Sequence, residues 1–458
     1  MRQTRLVPTL FIAALLAACG HNGHDHDPDP DPSHRPQFAA QVTFGDSLAD
    51  VGTYAVGTVA AAGGGKYIIN GSSTSLNPAL TGKIWPELLA AQLGLPAPCA
   101  AQTGLDGDAA QGFSVAVVNH PGCFDYAQGG ARVSNPVGPA NKLTGSPLGQ
   151  LTVPVVTQIA NHLAVSGGKF KGDEVVFVLA GANDAFSLLA QLAADATAAG
   201  QAAGAAKFAG TLVSLLAAGA SDPAGAAAAI GAALQAESAR PGHTDASVVQ
   251  AAVAAAARQP GNAAVADPAV YGPMVAKAQA DGAAAGAIAA TDYADQHSAA
   301  VVTAMANAGF ELASLVKTRI VANGARYVVV NNLPDIAISP GALAQSASSR
   351  ELIKAMVATF NDQLKAALAG ERKVVYVDLY ALTHDQAANP APYGLTNSTT
   401  PACGPNLLGG SSLVCNGGNL KGGDVSHYMF ADDAHPTPFE HLLVARYIAQ
   451  QMIVRNWL

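Results

Sequence analysis

Three runs limit the fold of this chain more than any other feature: EVVFVLAG from Glu174, RYVVVNNLPD from Arg326 and KVVYVDL from Lys373. Each is a block of β-branched residues bounded by Gly, Asn or Pro. A strand with one wet face alternates apolar and polar residues, and these do not alternate, so each is predicted to be a strand buried on both faces. Amphipathic stretches accompany them: WPELLAAQLG from Trp85, VVTAMANAGFELASLVKTRIVANG from Val301 and PFEHLLVARYIAQQMIVRNW from Pro438. Strands alternating with helices predict a parallel sheet with right-handed crossovers. Half of the 458 residues are hydrophobic and 12% are charged, which suits one large core with insertions.

A further apolar segment, VTFGDSLAD from Val42, stops at Gly45-Asp46-Ser47. It is predicted to be a buried strand ending in a turn that opens a helix, the place where open α/β sheets hold their chemistry. Taken alone, Asp46 or Ser47 would serve as a helix cap. Hydrolysis through a serine needs a base for the hydroxyl proton, a carboxylate to orient that base, and donors for the developing oxyanion. FADDAHPT from Phe430 places Asp432 three positions before His435. One tight turn there can direct the carboxylate to the ring's Nδ1–H and leave Nε2 facing outward. YAQGGARV from Tyr126 offers a glycine N–H on a turn, and AGAND from Ala180 puts Asn183 at the end of a strand. Each has a plainer role too: His435 as a cap of the helix starting near Pro436, Asn183 as a turn former, Gly130 as a residue of positive φ. The Gly-x-Ser-x-Gly elbow of α/β-hydrolases is absent from the sequence.

FGDSLAD, YAQGGARV, AGAND and DDAHPT, in that order, resemble the blocks of the GDSL or SGNH-hydrolase family, named for its catalytic Ser, Gly, Asn and His. The resemblance runs from about Ala39 to Leu458, with an Ala-rich insertion outside it. WPELLAAQLG, NNLPDIAISP and PYGLTNSTTPAC further resemble bacterial secreted and outer-membrane members with esterase or phospholipase activity. The resemblance implies a three-layer α/β/α, flavodoxin-like fold and a serine esterase that needs no metal or other cofactor. It implies that Ser47 attacks an ester carbonyl, that His435 acts as base and then acid, and that Asp432 orients His435, with Asp433 as the alternative orienter. The N–H groups of Ser47 and Gly130 and the side-chain amide of Asn183 would form the oxyanion hole, with Gly129 as the alternative to Gly130. Asp125 stands where the family commonly has Asn, and Ala182 where it commonly has Gly; neither change removes a group required for attack. A lipolytic acyltransferase and a catalytically idle surface binding protein are the competing functions, while the natural ester and the oligomeric state are left open.

The N-terminus reads as an address. A basic start and an apolar run too short to span a bilayer predict a signal peptide over residues 1–18. Leu16-Ala17-Ala18-Cys19 resembles the bacterial lipobox, in which Cys19 is lipidated and becomes the new N-terminus; a plain secretory signal is the alternative. Residues 19–38, including GHNGHDHDPDPDPSHR, have nothing apolar to bury until their last few positions and are expected to be a disordered tether. His24, Asp25, His26 and Asp27 could hold a metal ion, though a flexible segment binds one weakly. The hydrolase domain is then expected over 39–458 on a bacterial cell envelope, held to the outer membrane by its lipid. The short stretch after His435 leaves no room for an autotransporter barrel. With Cys19 assigned to the lipid, the other four cysteines allow three pairings, of which Cys99 with Cys123 and Cys403 with Cys415 closes the shortest loops. Residues 187–300 are rich in Ala and Gly and predict a helical insertion whose glycines weaken each helix. Its first helix should start near Asn183, so that the insertion can reach over the acyl pocket. A net charge of -8 and a pI near 5.8 argue against nucleic acid as a partner.

Overall fold

The computed structural model describes residues 35–71 and 80–458. The expected signal peptide, Cys19, the His/Asp group at 24–27 and all but the last residues of the expected tether lie outside the described residues. In chain order the elements are β1 (Ala40–Gly45), α1 (Gly57–Ala61), α2 (Trp85–Gln92), β2 (Gln102–Asp106), β3 (Ser114–Asn119), α3 (Val155–Val165), β4 (Glu174–Leu179), α4 (Ala182–Ala217), α5 (Pro223–Ser238), α6 (Asp245–Ala257), α7 (Pro268–Leu315), β5 (Tyr327–Asn331), α8 (Pro340–Leu343), α9 (Ala347–Leu368), β6 (Val374–Val377), α10 (Leu379–Ala388) and α11 (Pro438–Val454).

The three β-branched runs form β4, β5 and β6, which join β1 in a parallel sheet of order β1-β4-β5-β6. Every residue of β4 is buried. Successive side chains of a strand point to opposite faces, so Val176 and Val178 pack with Val42, Phe44, Val328 and Val330 under α3, α9 and the end of α7. Val175, Phe177, Leu179, Val329, Val375 and Val377 pack on the other face against α2, α10 and α11. Two helical layers on one parallel sheet make the expected three-layer α/β/α architecture. Beyond β1 the chain at 124–126 runs alongside the edge: Thr43 N–H donates to the Phe124 carbonyl at 3.0 Å, and Tyr126 N–H donates to that of Thr43 at 2.8 Å. The Cys99–Cys123 disulfide closes the loop leading into this segment. The Phe38 ring packs edge-on to Tyr327 at 5.3 Å, one position before the expected domain start at 39.

The Ala-rich region forms a helical arm. At 36 and 48 residues, α4 and α7 are about 54 and 72 Å long. Their inner ends belong to the α/β core through Ala185, Leu192, Met305 and Leu312. Their outer parts carry α5 and α6, with a separate small core of Leu212, Leu216, Ile230, Val253 and Val265. The sequence predicts glycines that only weaken these helices, at about 1 kcal/mol each. Here they also pack the pair: Gly200 and Gly204 of α4 face Gly286 and Gly282 of α7, and a Cβ on Gly200 would stand 2.7 Å from the Gly286 carbonyl oxygen. The two antiparallel backbones approach where larger side chains would hold them apart.

Candidate active site

β1 ends at Gly45, a position that excludes a larger residue: a Cβ there would lie 2.3 Å from the Leu179 carbonyl oxygen at the end of β4. Gln158 of α3 fixes the same residue, accepting from Gly45 N–H and donating to its carbonyl, both at 2.8 Å. The chain then turns over 46–49, and the helix predicted to open at Ser47 does not form; α1 starts only at Gly57. Asp46 Oδ1 accepts the Leu48 N–H at 3.1 Å. Asp50 Oδ1 accepts those of Gly52 and Thr53 at 2.9 and 2.7 Å. Asp50 thus takes over two backbone donors that a helix running on from Ser47 would use. Burial pushes the Asp46 carboxyl up to about 7 despite the bond from Leu48.

Ser47 Oγ lies 2.9 Å from Nε2 of His435. The ring's Nδ1 lies 2.9 Å from both oxygens of Asp432. Asp432 also accepts the backbone N–H groups of His435 at 2.8 Å, Ala434 at 3.0 Å and Ser412 at 2.7 Å. Burial by itself would raise this carboxyl, but His435 beside it and these donors hold it well below the usual carboxylate range. Ser412 comes from the loop closed by Cys403–Cys415, so the disulfide braces a donor to the carboxylate. Asp433 is exposed, and the contact to His435 is made by Asp432. The ring of Tyr67 lies 4.5 Å from that of His435 at 31°. Sequence reasoning missed Tyr67 because it stands in no motif.

Gly130 adopts φ 79°, and its N–H has no acceptor among the described residues. The neighbouring Gly129 N–H is committed to Asp50 Oδ2 at 2.9 Å. Asn183, in the first turn of α4, donates one amide hydrogen to the Ala131 carbonyl at 2.9 Å; a primary amide has a second to offer. Ser47, Gly130 and Asn183 therefore follow the carboxyl ends of three neighbouring parallel segments. Two buried carboxylates tie these segments together. Asp50 joins the serine turn to Gly129. Asp184 accepts from Arg132 Nε and Val133 N–H, both at 3.0 Å, joining the Gly130 loop to α4. Burial raises Asp184, with Arg132 opposing. Neither tie was visible as a pair in the sequence.

An apolar cavity opens beside Ser47 and His435, walled by Trp85, Phe186, Ile336, Met429 and Val444. Of the titratable residues in its wall, burial pushes Glu440 up to about 8, burial aided by His435 and Lys66 pushes His441 down to about 3, and Asp335 Oδ2 lies 2.8 Å from His384 Nδ1. His435 also borders a groove lined by Gly404, Leu408, Lys421 and Asp432. Among the described residues no group of three or more His, Cys, Asp or Glu is placed to hold a metal ion.

Residues 285–448, which include Asp432 and His435, match the family model described as GDSL-like Lipase/Acylhydrolase. Two GDSL esterases/lipases of Arabidopsis thaliana are similar to this chain. One is 27% identical over 27% of this chain and 36% of its own length; the other is 30% identical over the same shares. Lipase 1 of Photorhabdus luminescens is 38% identical over 16% of this chain and 11% of its own length. The chain thus spans about a third of the plant relatives and about a tenth of the bacterial one. Together with the α/β/α architecture, these matches make residues 285–448 similar to GDSL-like lipases and acylhydrolases.

Proposed function

We propose that this protein is a serine esterase that hydrolyses carboxylic esters through an acyl-enzyme. The observation that carries the reading is the line from Ser47 Oγ through the His435 ring to Asp432, each link at 2.9 Å. As Oγ bonds to the ester carbon, its proton passes to His435 Nε2. The carbonyl oxygen becomes an oxyanion, held by the N–H groups of Ser47 and Gly130 and by the Asn183 amide. The bond to the alcohol oxygen then breaks, and the Nε2 proton leaves with that oxygen. Water repeats the sequence: His435 takes its proton, the hydroxide oxygen bonds to the acyl carbon, and Ser47 regains its proton as the acid departs. Asp432 stays ionised throughout and fixes the ring's tautomer. An alcohol in place of water would give acyl transfer, which product analysis with an added alcohol separates from hydrolysis. The relatives named as lipases or esterases support the same reaction class.

A fluorophosphonate is expected to label the protein once, at Ser47, and a chelator should not prevent it. Mass spectrometry of the tryptic peptide reads the site. Equal labelling of a folded Ser47→Ala protein would remove Ser47 as the nucleophile.

The reading extends to location. The lipobox-like Leu16-Ala17-Ala18-Cys19 and the polar stretch after it support a lipid-anchored protein of a bacterial outer membrane, its catalytic domain standing off the surface. Cys19→Ser should move the protein from the membrane fraction to a soluble or unprocessed form while ester hydrolysis persists. Recovery of the wild-type protein unlipidated in the medium contradicts the anchor.

A further inference from the structure

We infer that the cavity beside Ser47 continues into a groove built by the helical arm, and that this groove holds the distal part of a long acyl chain, making the substrate a lipid-type ester. The inference rests on Ser47 being the nucleophile. Phe186, Ile336, Ser339 and Ala434 border both the cavity at Ser47 and a second, larger one of about 770 Å³. The larger space lies between α4, α7 and the α8–α9 segment, with Leu189, Ala193, Val302 and Leu352 among its apolar walls.

The helix that carries the oxyanion donor also carries the track. Asn183, Phe186, Ala190 and Ala193 are spaced three or four residues apart, so they share one face of α4. That face runs about 15 Å from the amide to Ala193. An acyl chain whose carbonyl oxygen meets Asn183 therefore has an apolar path leading away from the reacting carbon.

The alcohol portion is directed elsewhere. Its oxygen must reach His435 Nε2 to be protonated, and His435 also borders the groove containing Lys421, Gly404 and Asp432. That more polar side suits the leaving alcohol, whereas the walls toward the arm suit hydrocarbon. Each methylene moved from water into such a groove favours binding about fourfold.

The experiment compares kcat/KM for p-nitrophenyl acetate, butyrate, octanoate and dodecanoate, all kept below their aggregation limits. In the wild type the value should rise at least about tenfold from acetate to dodecanoate. Leu189→Gln places a polar group in the groove, and Ala193→Phe fills it from an exposed position. Both should flatten that rise while acetate turnover stays within about twofold. A flat or falling wild-type profile overturns the groove assignment, as does an unchanged rise in both variants. Ser47→Ala keeps the two ideas apart. Acetate hydrolysis abolished by this change with a flat wild-type profile overturns only the groove, whereas acetate hydrolysis that survives it overturns the nucleophile and the inference resting on it.

Discussion

Replacing Asp432 with asparagine is expected to lower kcat for a short aryl ester by about 10⁴, roughly 5 kcal/mol, with a far smaller change in KM. In the native site the two oxygens of Asp432 receive donors from the His435 ring and from three backbone N–H groups. An asparagine keeps one oxygen and introduces an NH2 where only acceptors fit. If the oxygen stays at the Oδ1 position with the Ala434 and His435 N–H donors, the NH2 takes the Oδ2 position, faces His435 Nδ1 and favours the tautomer with its hydrogen on Nε2. That nitrogen then points a hydrogen at Ser47 Oγ and cannot take its proton. Either orientation leaves backbone donors without an acceptor, the Ser412 N–H in the first and those of Ala434 and His435 in the other, at a cost of about 1–3 kcal/mol of stability. The control is Asp433→Asn. Asp433 is exposed and does not meet the ring, so kcat should stay within about twofold. Steady-state kinetics on both proteins, with circular dichroism to verify folding, checks the pair. Equal losses, or a larger loss at 433, would mean that the orienting carboxylate has been misassigned.

What could be read in advance followed from local chemistry. The β-branched runs at Glu174, Arg326 and Lys373 could hardly be anything but buried strands, and β4, β5 and β6 are where they fall. Asp432 and His435 were legible because three positions on one tight turn suffice to bring a carboxylate to a ring nitrogen. The local disulfide pairing was likewise favoured by short loops. The helix expected after Ser47 did not form, and Asp50 takes backbone donors that it would have used, a competition that a pattern of apolar residues does not display.

The unread part of the site consists of long-range partners. Asp50 meets Gly129, Asp184 meets Arg132, and Tyr67 meets His435, each across a separation that folding alone closes. A single sequence shows that Asp50 and Asp184 end the motifs FGDSLAD and AGAND, but not that they fasten one motif to the next. The arm was hidden in a similar way. Its Ala content predicts helix, yet the pairing of Gly200 and Gly204 with Gly286 and Gly282 depends on the antiparallel return of α7. The boundary at 187–300 also proved artificial in one respect: α4 begins at Ala182 and α7 runs on to Leu315, so the arm is continuous with helices of the core. The first turns of the same α4 place Phe186 in the wall of the cavity beside Ser47.

Asn183→Ala is expected to lower kcat by about 10²–10³, or roughly 3–4 kcal/mol, with a much smaller change in KM. The carbonyl oxygen gains most of its negative charge after Ser47 attacks, so a donor aimed at it favours the transition state over bound substrate. Asn183 is suited to this because one amide hydrogen is fixed on the Ala131 carbonyl at 2.9 Å, which holds the group in place and leaves the other to the ester. The same bond gives the substitution a second consequence. The Ala131 carbonyl loses its donor, and the loop bearing Gly130 should loosen, visible as a lower melting temperature from a loss of about 1 kcal/mol. Asn183→Asp separates charge from shape. A carboxylate is nearly the same size, but it presents acceptors to both the Ala131 carbonyl and the developing oxyanion, so turnover should be at least as poor as in the alanine variant. Serine-directed labelling gives a further test, since the tetrahedral phosphonate places an oxygen where the oxyanion forms and should react more slowly in both variants. Near-normal kcat in a folded Asn183→Ala protein would mean that Asn183 only holds the loop and that the oxyanion depends on the backbone N–H groups of Ser47 and Gly130.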